Sequence, residues 1–99
     1  MSDVSVSMSE PVWQDIVAYQ PSPVRVGLAS DVRAQLETAP ARPQEMRYPA
    51  AARVSTFTRE QAAQLEAWLA AVVIRPDAPI GAGAALAAVR QGIRLAHAQ

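Results

Sequence analysis

Three clusters of proline cut this chain into pieces too short for any long helix. They are Pro21 with Pro23, then Pro40, Pro43 and Pro49, then Pro76 with Pro79. Proline lacks the amide hydrogen that a helix interior needs, and its ring pushes the preceding residue out of helical geometry. Short helices are therefore confined to the first half and longer ones to the stretches after Pro49 and Pro79. The chain has 99 residues, which fits one small domain with tails. A domain of this size buries barely enough apolar surface to hold itself together, so a partner subunit is expected.

Between the prolines, the apolar spacing places the elements. Residues 1–8 read as a flexible start. Ser9 is positioned to cap a helix from about Glu10 to Tyr19, with Val12, Trp13, Ile16 and Val17 on one face. Val24, Val26 and Leu28 alternate with Arg25 and Gly27, the pattern of a short strand. Ser30 then caps a second short helix with Val32 and Leu36 four apart. Residues 39–52 read as a linker or extended arm, in which Met46 and Tyr48 could dock.

The clearest signal starts at Arg53. Val54–Phe57 is β-prone. Thr58 and Gln61 then fit a capping box, a hydroxyl and an amide side chain each satisfying a free backbone amide. Ala62, Leu65, Trp68, Leu69, Val72 and Val73 follow at helical spacing and predict a helix that stops before Pro76. A last helix is expected from about Ala82 to Ala98, with Ala82, Leu86, Val89, Ile93 and Ala96 on its apolar face. Arg90, Arg94 and His97 form a basic stripe on another face. Ala34–Glu37 and Ala63–Glu66 are identical in sequence, an echo of common helix formers that chance explains.

Composition removes several chemistries. The chain has no Cys and no Lys, so disulfides, thiolate metal sites, Schiff bases and a P-loop lysine are excluded. His97, at a helix end, has no positioned neighbour to make it a catalytic base, and a cation there suits the helix dipole. No His, Asp or Glu cluster has metal-ligand spacing. Gly81 and Gly83 match only part of a dinucleotide fingerprint, since Leu86 stands at the third position. No enzyme and no cofactor are expected. Net charge is zero, but residues 1–45 carry six acids against three arginines, and residues 46–99 the reverse. The longest apolar stretch, Ala67 to Ile74, falls short of the roughly 20 residues that span a bilayer. The start of the chain has no basic or apolar leader pattern, so a cytoplasmic protein is expected.

The order strand, capped helix, loop, helix over residues 53–98, with its Thr58–Gln61 cap and the Val89–Ile93 ending, resembles the ribbon-helix-helix family of bacterial DNA-binding proteins. That family includes repressors, antitoxins and relaxosome accessory proteins. The resemblance implies a mainly α fold: a short β-strand followed by two helices, preceded by a partly extended N-terminal region (1–52) with short helices. It also implies that two chains pair their strands into a ribbon that enters the major groove of double-stranded DNA. Arg53, Ser55, Thr56 and Thr58 would then face the bases. The amides of Gly81, Ala82 and Gly83 at the start of the last helix would hold a phosphate. The loop Arg75–Gly81 is longer than the family's and lacks its Ser/Thr.

On this reading the protein is a homodimeric DNA binder whose N-terminal region takes a protein partner through Trp13, Ile16 and Val17. The alternative from composition is a protein–protein adaptor or small assembly subunit, such as a phage structural protein. Short amphipathic pieces joined by prolines suit a chain that wraps a partner.

Overall fold

The alternation of Val4, Val6 and Met8 with Ser5 and Ser7 has the period of a strand, not of a flexible start. In the computed structural model, which describes residues 3–19, 30–39, 41–42 and 52–98, it forms β1 (Val4–Ser9). Its three apolar side chains are buried, and Ser5 and Ser7 are exposed. The chain then passes into α1 (Glu10–Ala18), whose first turn accepts a proline because the missing amide would be unpaired there anyway. Ser9 stands at the cap position, but its side chain makes no capping hydrogen bond.

The remaining elements are α2 (Ser30–Glu37), β2 (Ala41–Arg42), β3 (Ala52–Phe57), α3 (Arg59–Val73) and α4 (Ala82–Ala98). The strand expected at Val24–Leu28 and the docking residues Met46 and Tyr48 lie outside the described residues. The capping box is present as expected. Thr58 Oγ1 accepts from the Gln61 amide at 3.1 Å, and Gln61 Oε1 accepts from the Thr58 amide at 3.0 Å. The fold is mainly helical, with an antiparallel sheet of order β1–β3–β2. β2 covers only Ala52 and Arg53 of β3, so beyond them the sheet is two strands wide among the described residues.

Six buried side chains from the first half (Val4, Val6, Met8, Ile16, Val32 and Leu36) share one core with Phe57, Leu65, Leu69, Val72 and Val89 from the second. Burying each large apolar side chain is worth about 1.5–3 kcal/mol, so neither half keeps its core alone. Gly92 permits the closest contact. A Cβ there would collide with the Ser5 carbonyl oxygen and sit 3.3 Å from Val4 Cγ1, and its absence lets α4 lie directly against β1.

The contacts follow a crossed pattern. β1 and β3 pair with each other, and each runs at once into a helix, α1 or α3. α4 packs against β1 and α2 against β3, while α1 meets α4 and α2 meets α3. The correspondence between the halves is partial: α3 also packs extensively against α4, whereas α1 is tied to α2 through Trp13 Nε1 donating to the Leu36 carbonyl oxygen.

Candidate nucleic-acid interface

The outer face of the β1–β3 pair is built by alternation. In the antiparallel register Ser5 lies opposite Thr56 and Ser7 opposite Val54. Ser5, Ser7 and Thr56 are exposed, and Val54 is half-buried. The result is a patch of three hydroxyls and one isopropyl group, with no charged side chain among the four. Hydroxyls donate and accept hydrogen bonds alike, and two strands about 4.8 Å apart make a ridge narrow enough for a major groove about 12 Å wide.

Of the residues expected to face DNA, Thr56 alone combines an outward position within the strand with a free face. Arg53 points inward, because it shares the face of Ser55 and Phe57. Its guanidinium donates to Glu10 Oε2 at 2.7 Å and Oε1 at 3.0 Å, and to the Ala39 carbonyl oxygen at 3.2 Å. It also sits 4.1 Å from the centre of the Trp13 ring, a cation–π contact. Hydrogen bonding to Arg53 holds the Glu10 carboxyl below its ordinary range, and the same bond raises the Arg53 guanidinium. Arg53 thus clamps β3 to α1 instead of facing a groove.

Ser55 is buried opposite Val6, 3% exposed, and its Oγ has no hydrogen-bond partner among the described residues. It cannot reach a base. Thr58 is exposed, but its hydroxyl is engaged in capping α3. Arg59, the next residue, is exposed and donates at 3.5 Å to the Ala96 carbonyl oxygen in the last turn of α4.

The phosphate cradle expected at the start of α4 is filled from inside. The Gly81 amide donates to Asp15 Oδ2 at 3.1 Å. Ala82 is 1% exposed, and its amide donates to the Pro79 carbonyl oxygen. Only Gly83 stands open, with nothing near the position of a Cβ. A helix N-terminus attracts an anion, and here Asp15 of α1 is that anion. A phosphate would meet its charge. The start of α2 also carries an acid: Asp31 accepts from Gln61 Nε2 at 3.1 Å, and that bond lowers its pKa.

The residues expected to dock a partner are used within the chain. Ile16 is buried in the core, and Val17 packs against it half-buried. Trp13 Nε1 donates to the Leu36 carbonyl oxygen at 2.8 Å, which ties α1 to α2, and Arg53 covers the ring. Three residues of the outer patch, Ser5, Ser7 and Val54, were missed from the sequence. The signal was the Val4, Val6, Met8 alternation, which puts both serines on the opposite face.

Among the described residues no three His, Asp or Glu side chains gather as a metal site, and no helix is long and apolar enough to cross a membrane. Comparison with protein families, with characterised proteins and with solved structures found no match to this chain.

Proposed function

We propose that the protein binds double-stranded DNA in the manner of ribbon-helix-helix proteins, with both strands of the ribbon supplied by one chain. The observation that carries this is the β1–β3 pair. Each strand runs directly into a helix, and their shared outer face is exposed, small and polar at Ser5, Ser7 and Thr56. In the major groove those hydroxyls would meet base edges, and the Val54 methyls would suit a thymine methyl. Because β1 pairs with β3 inside the chain, the ribbon no longer requires the homodimer expected from the sequence.

The acids at the starts of α4 and α2 remove the family's helix-end phosphate contacts. DNA binding would therefore release few counterions and depend on salt less steeply than for a basic repressor. The test is binding of the full chain to mixed duplex fragments at low and at physiological salt. Binding that Thr56→Asp abolishes is expected. No binding even at low salt would refute the reading.

A specific observation favours a second reading, a protein-partner contact. Ile74 and Ile80 are 83% and 101% exposed at either end of the α3–α4 connection. Failure to bind DNA, with a partner lost on Ile74→Ser and Ile80→Ser, would select it.

A further inference from the structure

We infer that the ribbon reads a non-palindromic DNA sequence, whose two half-sites agree at one contacted position and differ at the other. This rests on the DNA-binding reading. The two strands enter their helices at equivalent points, Ser9 before α1 and Thr58 before α3. Counting back from those caps makes Ser7 equivalent to Thr56, and Ser5 equivalent to Val54. The observed register obeys the same two-fold relation: the pair Ser5–Thr56 exchanges with the pair Val54–Ser7.

In a ribbon made by two identical chains, equivalent positions carry the same side chain, and the two half-sites match. Here the equivalence holds chemically at one position only. Ser7 and Thr56 are both hydroxyls, able to donate to or accept from a base edge. Ser5 is a hydroxyl, whereas Val54 presents only methyl groups. A valine in the groove cannot pair with a base donor or acceptor and leaves it unsatisfied, but it packs on the C5-methyl of thymine. One half-site therefore carries thymine beneath Val54, and the other presents a hydrogen-bonding edge to Ser5.

The experiment is selection of the full chain against a random duplex pool at low salt, followed by binding of the winning sequence and its two symmetrised versions. A non-palindromic winner is expected, bound roughly tenfold more tightly than either symmetrised duplex. Val54→Ser should erase the thymine preference, and Ser5→Val should shift selection to a palindrome with thymine in both halves. Ser5 is exposed and Val54 half-buried, and unchanged melting of the variants separates a change in readout from a loss of fold. A palindromic winner from the native chain overturns the inference and leaves DNA binding standing. No enrichment of any duplex overturns both.

Discussion

Single residues in this protein are governed by which face of a strand they occupy. Ser55 lies on the buried face, where its hydroxyl has no partner. An unsatisfied buried hydroxyl costs about 1–3 kcal/mol, so Ser55→Ala should raise stability by about 1 kcal/mol, read from the midpoint of urea unfolding. Arg53, two residues earlier on the same face, solves the problem differently by pairing with Glu10. Glu10 has a lowered pKa in the fold, so it stays ionised where the unfolded chain would take up a proton. Its contribution is present at neutral pH and is lost as pH falls through and below the ordinary carboxylate range. Asp31 and Asp77 are shifted the same way. Glu10→Gln should therefore be less stable than the native chain at pH 7 and flatten, without abolishing, its loss of stability towards pH 3. An unchanged pH profile would show that the Glu10–Arg53 pair contributes nothing.

Elements are governed by how close they can come. Gly92 places α4 on the backbone of β1, and Gly81 lets α1 approach the start of α4, with Val12 Cα 3.1 Å from where a Cβ would stand. Gly83 has open space around it. Two chemically identical substitutions should thus diverge. Gly92→Ala forces the strand backbone away and should cost about 1–3 kcal/mol or more. Gly83→Ala, in the first turn of a helix, should be neutral or stabilise by up to about 1 kcal/mol. Thermal melting of both variants checks this, and equal effects would contradict the described packing of α4 on β1. The helices themselves were legible beforehand: Ala62, Leu65, Leu69 and Val72 mark the buried side of α3, and Thr58 with Gln61 mark its start. β1 was not, although its alternation is regular, because six residues near a chain start carry no turn signal to frame them as a strand.

At the scale of the whole molecule, the two halves depend on each other. Val4, Val6 and Met8 complete the core beneath β3, and β1 is the strand that pairs with β3 along its full length. Losing their burial alone forfeits several kcal/mol at about 1.5–3 kcal/mol for a large apolar side chain, against a total stability of about 5–15 kcal/mol for a small domain. A chain lacking residues 1–9 should show no cooperative unfolding transition by circular dichroism, whereas an extension without structural role could be removed with no effect. The sequence by itself determined the helices of the second half, the cap at Thr58, the end of α3 ahead of Pro76 and the absence of Cys and Lys chemistry. Those follow from periodicity, local hydrogen bonding and composition, which act over a few residues. Only the tertiary structure decided that β1 pairs with β3, that Arg53 turns inward to Glu10, that Trp13 is spent on Leu36, and that Asp15 fills the helix end at Gly81. These partners lie 23 to 66 residues apart along the chain. No local pattern encodes such a meeting, because it depends on where the shared core brings distant segments together.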